Sequence, residues 1–236
     1  MCVNAIFEGR QGVDTTPRAA IPSRMPSRPS GTDTHADLRE WFGDIDIYLF
    51  DQLLKGRLPP GTRVLDAGCG EGRNLVYFLR SGYDVYAVDR SGEAVAHVRS
   101  LASALAPKLP ADNFRIEPVE RMTFADDSFD LVISSAVLHF ARGEGHWQDM
   151  VREMWRVLKR GGIFFARLAS SIGIENQVAQ LGGRRYRLPD GSDRFLVDEG
   201  MLMATTESLG GEMLDPLKTV VVQNMRSMST WCLRKT

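Results

Sequence analysis

Two carboxylates and a run of glycines between positions 64 and 89 carry the chemistry this chain most plainly offers. Asp66 closes the apolar run Val64-Leu65 and is followed by Gly68, Gly70 and Gly72, and Asp89 closes a second run, Asp84-Val-Tyr-Ala-Val, 23 positions after Asp66. Glycine has no Cβ, so it takes positive φ and lets backbone amides approach a bound molecule closely. Strand, glycine loop and helix in that order form a nucleotide-type crevice, although an ordinary tight turn uses the same residues. An acidic residue at the tip of the second strand is placed to accept hydrogen bonds from both hydroxyls of a ribose, which implies an adenosine-like ligand. The dinucleotide fingerprint Gly-x-Gly-x-x-Gly would put its third glycine at position 73, where the chain has Arg73. That departure argues against a helix that starts on a pyrophosphate. Asp66, just ahead of the loop, favours a ligand with a positive amino group, because a carboxylate repels phosphates.

The elements that must hold these residues follow from hydrophobic period and breakers. Asn74 to Ser81 predicts a short helix ended by Gly82, and Asp84–Asp89 a strand, so residues 64–89 form one βαβ unit. Beyond it the pattern predicts helix 93–105, strand 114–117, strand 129–134, helix 146–158 and strand 163–168. Such alternation implies a parallel sheet wound on both faces, with its crevice at the carboxyl ends of the strands. Further on come a helix over 175–181, a hairpin around Pro189-Asp190-Gly191-Ser192, a helix capped by Asp198, and two last strands near 217–222 and 227–233. Ahead of the βαβ unit, 38–54 reads as amphipathic helix, with Trp41, Phe42, Ile45, Ile47, Tyr48, Phe50, Leu53 and Leu54 at helical spacing and most of them expected in the core.

Leu65-Asp66-Ala67-Gly68-Cys69-Gly70-Glu71-Gly72 resembles the first motif of class I S-adenosylmethionine-dependent methyltransferases. Val85–Asp89 resembles that family's ribose-binding strand, Phe124–Ile133 its fourth strand and Leu158–Phe165 its fifth, so the likeness runs in order over about residues 60–170. Gly72-Arg-Asn74 followed by Gly82-Tyr-Asp-Val85 is similar in particular to the tellurite-resistance and small-molecule branch. The resemblance implies a doubly wound, Rossmann-like, mostly parallel sheet of seven strands with an antiparallel last strand. It implies S-adenosylmethionine as cofactor, its methionine portion held by Asp66 and the backbone at Gly68 and Gly70, with Arg73 and Asn74 in the same set. Asp89 would grip the ribose, Arg90 and Ser91 would lie along the adenine, and Ser134 and Ser135 would line the channel. Many relatives carry Asp about where Pro118 stands, so adenine contact falls here to the Val119 amide and to Glu120.

Methyl transfer from such a cofactor needs little covalent machinery, since orientation alone supplies roughly 7–11 kcal/mol of a barrier of this kind. His139 in Val137-Leu-His-Phe140 is the candidate base or acceptor-positioning group, the alternative being an imidazole that only packs. His146, beside Trp147, reads as the start of a surface helix, and Cys69 as a small buried residue. Arg167 ends the fifth strand at the crevice, and Arg184, Arg185 and Arg187 lie in the hairpin; they would receive an oxyanion or carboxylate, or else form a solvated face. The fourth strand continues Ser134-Ser-Ala-Val137, without the Asn/Asp-Pro-Pro-aromatic signature of nucleic-acid amine methylation. A small soluble acceptor is therefore expected, with an anionic chalcogen species or a thiol first. A catalytically silent cofactor-binding protein and an NAD-dependent oxidoreductase are the other classes open.

Composition fits one enzyme domain. The chain has 236 residues, 43% hydrophobic and 25% charged, with formal net charge −1 and no overall basic excess for a nucleic-acid backbone. Cys2, Cys69 and Cys232 fit neither a metal site nor a disulfide framework, which points to a reducing, cytoplasmic compartment. No apolar run approaches the length of a membrane span. Residues 1–36, with Pro17, Pro22, Pro26 and Pro29 among Arg and Ser, are expected to be a disordered leader, and 37–236 a single domain with a hairpin insert near 182–197.

Overall fold

Strands that are apolar on both faces belong inside a parallel sheet covered on either side, and the central strands of this chain are of that kind. The computed structural model describes residues 34–236, with side chains from residue 38 onward; the expected leader up to residue 33 lies outside the described residues. Helices α1 (Thr34–Phe42) and α2 (Ile47–Leu54) come first. Then follow β1 (Arg63–Ala67), α3 (Val76–Arg80), β2 (Asp84–Asp89), α4 (Gly92–Leu105), β3 (Phe114–Ile116), β4 (Phe129–Ser135), α5 (Glu144–Val157) and β5 (Leu158–Ala169). The last part holds β6 (Ala179–Gly182), β7 (Arg185–Arg187), β8 (Asp193–Phe195), α6 (Glu199–Ser208), β9 (Gly211–Met213), β10 (Lys218–Val222) and β11 (Arg226–Lys235).

The main sheet runs β10-β11-β5-β4-β1-β2-β3. Its five strands β1 to β5 are mutually parallel, β11 is antiparallel to β5 from Met228 to Arg234, and β9 adds a short antiparallel strand on β11. This is the doubly wound sheet expected, with β9 in addition. Successive side chains of a strand serve opposite faces, and the core divides accordingly. Leu65, Val132, Phe164 and Trp231 pack with Trp147, Met150 and Met154 of α5 and Leu202 of α6. Val64, Leu131, Phe165 and Cys232 pack with Leu49 of α2, Phe78 of α3, and Val95 and Val98 of α4. Caps fix where helices begin: Ser91 Oγ accepts from the Ala94 amide at α4, and Asp198 Oδ1 accepts from the Met201 amide at α6.

Three expectations are corrected. The stretch 38–54 is two helices, because Gly43 at φ +60° closes α1 and the Asp46 carboxylate, accepting from the Tyr48 amide, starts α2. The apolar side chains expected in the core all lie at the surface or half-buried, with Trp41 39% and Leu54 72% exposed, and the fully buried one is Leu49, outside that expected set. The helix expected over 175–181 is a single 3-10 turn, Glu175–Gln177, followed by β6 pairing with β7. Seven residues with few apolar anchors, ended by Gly182-Gly183, cannot offset the cost of nucleating a helix, whereas the extended backbone finds a partner strand. β5 begins at Leu158 rather than Ile163 and accommodates Gly161 at φ +78° with a register shift opposite β4. The hairpin stands as expected: β7 and β8 pair around Gly191 at φ +83°, and Leu188 and Ser192 close the turn at 2.9 Å.

Candidate active site

The carboxyl ends of β1, β2 and β4 meet around a cavity of about 660 Å³. The turn after β1 is held by the end of β2: the amides of Gly68 and Cys69 donate to the Val88 carbonyl at 2.8 and 3.0 Å, and the Gly70 amide donates to Asp89 Oδ2 at 3.0 Å. Asp89 Oδ1 accepts from the Ser91 amide at 2.9 Å, so the carboxylate is fixed at the mouth of the cavity with lone pairs left over for a ligand. At Gly68, φ is +85° and a Cβ would stand 2.5 Å from Val137 Cγ2, so the tight turn requires glycine for two independent reasons.

Asp66 lies beneath this loop, 1% exposed, and its Oδ2 has no hydrogen-bond partner among the described residues. Burial pushes its carboxyl up to about 7, with Arg73 pulling down and Asp89 pushing further up. A buried, unpartnered carboxylate oxygen is costly unless a donor or a positive charge completes it. Cys69, close to the same carboxylates, is buried and its thiol is pushed well above the ordinary range, first by burial, so it packs as a small residue and is no nucleophile.

Of the residues expected to hold a cofactor, Gly68, Gly70, Arg73, Asn74, Asp89, Arg90, Val119 and Ser135 line the cavity. Ser91 acts as the α4 cap, and Ser134 is wholly buried in β4 with its hydroxyl unpartnered among the described residues. Glu120 stands to the side of the cavity in an ion cluster with His146 Nε2 at 3.1 Å and Arg90 Nη2 at 3.7 Å. Although burial raises it, Glu120's own backbone amide and His146 hold that carboxyl below its usual range. His146 is thus half of a partly buried pair rather than the start of an exposed helix face. Phe140 and Met150 line the cavity too and were missed; apolar residues of this kind carry no signal that separates them from core.

A second cavity of about 360 Å³ shares Arg73, Ser135 and Ala136 with the first. Ala136 adopts φ +64°, unusual for a residue with a Cβ, where the chain leaves β4 between the two spaces. His139 and Arg167 line this second cavity. His139 is buried, its Nδ1 accepts from the Ala169 amide at 3.3 Å, and burial followed by the charge of Arg194 drives its imidazole down to about 4. The ring is therefore neutral with its hydrogen on Nε2, which makes it a donor and not a base. Arg167 Nη1 donates to Asp46 Oδ2 at 3.1 Å and lies over the Tyr48 ring, 4.9 Å from its centroid. Arg73 Nη2 donates to Ser135 Oγ at 2.8 Å and reaches the same Asp46 oxygen at 3.5 Å, while the Asp46 amide donates to Asn74 Oδ1. The residue that starts α2 so ties the glycine loop to the end of β5.

The hairpin arginines behave differently from expectation. Arg184 pairs with Asp198 at 2.7 Å and Arg187 with Asp193, and neither they nor Arg185 line either cavity. Arg194, on the facing strand of the hairpin, and Arg226, at the start of β11, line the second cavity instead, beside Arg73 and Arg167. Among the described residues no group of three or more His, Cys, Asp or Glu side chains is arranged to hold a metal ion, and no helix is long and apolar enough to cross a membrane.

Residues 65–166 match the family described as methyltransferase domain. Over 120 residues, half of this chain, the sequence is 34% identical to the malonyl-[acyl-carrier protein] O-methyltransferase of Enterobacter lignolyticus (strain SCF1), of which it covers 44%. The chain spans about half the length of the curated relatives of that kind. Among solved structures, the Burkholderia thailandensis 1,6-didemethyltoxoflavin-N1-methyltransferase, solved with S-adenosylhomocysteine, aligns with TM-score 0.62 at 21% identity over 86% of this chain and 83% of that one. The [4+2]-cyclase SpnF aligns with TM-score 0.60 at 19% identity over 80% of each chain. Residues 65–166 are thus similar to the methyltransferase domain family, and the chain shares the fold of these solved structures.

Proposed function

We propose that this chain transfers a methyl group from S-adenosylmethionine to a small nucleophile by in-line displacement, the cofactor occupying the first cavity and the acceptor the second. The observation that carries the reading is the Asp66 carboxylate, buried beneath the glycine loop with an oxygen left unpartnered among the described residues. The cofactor's methionine amine is a cation that would complete it. Asp89 takes the ribose hydroxyls, the amides around Gly68 and Gly70 and the Arg73 guanidinium take the methionine portion with Asn74, and Val119, Arg90, Ser91 and Glu120 border the adenine. When bound, the cofactor supplies a methyl already activated on a positively charged sulfur. The protein's share is to hold the acceptor opposite that sulfur, a task for Ser134, Ser135 and Arg167.

His139 serves as acceptor-positioning donor through Nε2–H. Since neither it nor Asp190, whose carboxyl is held below its usual range first by Ser192, is suited to accept a proton near neutral pH, the acceptor arrives ionised or without a proton to lose. The motif likeness around Gly72-Arg-Asn74 puts tellurite, selenite and thiols on the list of acceptors, and the Enterobacter lignolyticus relative adds malonyl groups. Transfer of labelled methyl across these, small carboxylates and total RNA tests the reading, and label in RNA with none in any small molecule contradicts it. The silent-binder alternative has one observation in its favour, the fold shared with the [4+2]-cyclase SpnF; cofactor binding with no transfer to any acceptor would support it.

A further inference from the structure

We infer that the second cavity is a carboxylate-binding site that receives the acceptor by its negative charge, through Arg167, Arg194 and Arg226, with the His139 Nε2–H as an additional donor. The inference rests on the proposed cofactor role of the first cavity, since it takes the neighbouring space to be the acceptor's.

Charge is the first argument. Four guanidiniums, those of Arg73, Arg167, Arg194 and Arg226, border the cavity against one lining carboxylate, Asp190. Asp46, behind Arg73 and Arg167, neutralises one further charge. An excess of two positive charges remains in a space of about 360 Å³, in a chain whose formal net charge is −1. Such a concentration within low-dielectric walls attracts anions and raises their local concentration.

Prior commitment is the second. Asp190 is engaged with the backbone amide and hydroxyl of Ser192 at 2.9 and 2.6 Å, which shapes the hairpin turn. Among the described residues neither Arg194 nor Arg226 makes an ion pair with it or with any other carboxylate. Arg194 donates to the Asp193 carbonyl and rests over the Phe140 ring, 5.0 Å from its centroid, so its guanidinium is oriented at the cavity wall without being neutralised. This contrasts with Arg184 and Arg187, each of which is closed by an aspartate, Asp198 and Asp193 respectively. Arg184 and Arg187, away from the cavity, are thus neutralised, while Arg194 and Arg226 at its wall are not.

Shape is the third. The guanidinium fork matches the two oxygens of a planar carboxylate in a way no thiolate can use. Leu188, Val222 and Met228 supply apolar wall for the remainder of a small molecule.

The test is calorimetric binding to the full chain saturated with S-adenosylhomocysteine, using benzoate and malonate against benzamide and malonamide, and tellurite as a different anion. We expect both carboxylates to bind with Kd in the millimolar range or tighter and the amides to give no heat. Arg226→Gln and Arg194→Gln, taken separately, should weaken benzoate about tenfold or more while S-adenosylhomocysteine affinity stays within about twofold of wild type. Carboxylates that bind no better than their amides, or binding that persists unchanged in both variants, would overturn the site, as would tellurite binding alone. Failure of S-adenosylhomocysteine itself to bind would instead strike the cofactor reading, and the acceptor site would fall with it.

Discussion

The two cavities are neighbours built by opposite strategies. The first is made of backbone: amides of Gly68, Cys69 and Gly70 fastened to Val88 and Asp89, with Gly68 where a Cβ would collide. The second is made of long side chains brought from β5, β8 and the start of β11, positions 167, 194 and 226, and tied to α2 through Asp46. Backbone geometry is held by the strands that flank it and tolerates no substitution at the tight points. Side-chain geometry is cheap to alter, so a common scaffold keeps one cofactor crevice while its acceptor pocket is rewritten.

That contrast can be broken in several places. The largest effect belongs to the backbone-built side: Asp89→Ala should weaken S-adenosylhomocysteine roughly 100-fold or more in a calorimetric titration, since two charge-assisted hydrogen bonds of about 1.5–3 kcal/mol each are lost. The same change frees the Gly70 amide and so loosens the loop. Gly68→Ala comes next. A Cβ 2.5 Å from Val137 at φ +85° should cost about 1–3 kcal/mol of stability by denaturant unfolding and lower cofactor affinity with it.

On the side-chain-built side, Arg167→Ala should raise an acceptor's KM or lower turnover about tenfold, with cofactor affinity falling only slightly. Asp46, its side chain 2% exposed, would keep the Tyr48 amide and the more distant Arg73, so a modest loss in melting temperature accompanies the change. Equal losses for cofactor and acceptor would mean that Asp46 couples the two cavities more tightly than their separate construction implies.

The smallest expected effect is one of pH. With the Asp66 carboxyl raised to about 7 in the ligand-free protein, the charge that pairs with a cationic amine is lost as pH falls through that value. Cofactor-induced thermal stabilisation should therefore be several-fold weaker in apparent affinity at pH 6 than at pH 8. For the ligand-free fold the sign is reversed: a carboxyl raised above its unfolded value of 3.8 contributes stability that is full below that value and is lost as pH rises through about 7. A pH-independent cofactor shift, or one that grows toward acid, would remove Asp66 from the amine site.

The same contrast explains what could be read from the chain. The crevice was legible because its parts are contiguous: Asp66, the glycines and Asp89 lie within one βαβ unit, and the sheet that carries them follows from apolar strands in alternation with helices. The second cavity was not, because strand pairing selects its residues. Register sets Tyr186 opposite Arg194 and Arg187 opposite Asp193, which places one hairpin arginine at the cavity and closes another with an aspartate, and nothing in the spacing of Arg184, Arg185 and Arg187 reveals that. Arg226 precedes the last strand with no local pattern around it. The helix expected over 175–181 failed for a related reason, since the partner strand that decides its conformation arrives only with Arg185–Arg187.

The most direct measurement of the central claim is a calorimetric comparison of S-adenosylhomocysteine and NADH on the full wild-type chain. A crevice with a buried carboxylate beneath its loop and Arg73 in place of a third glycine should bind S-adenosylhomocysteine with affinity on the order of micromolar and give no heat with NADH. NADH binding without S-adenosylhomocysteine binding would contradict the account.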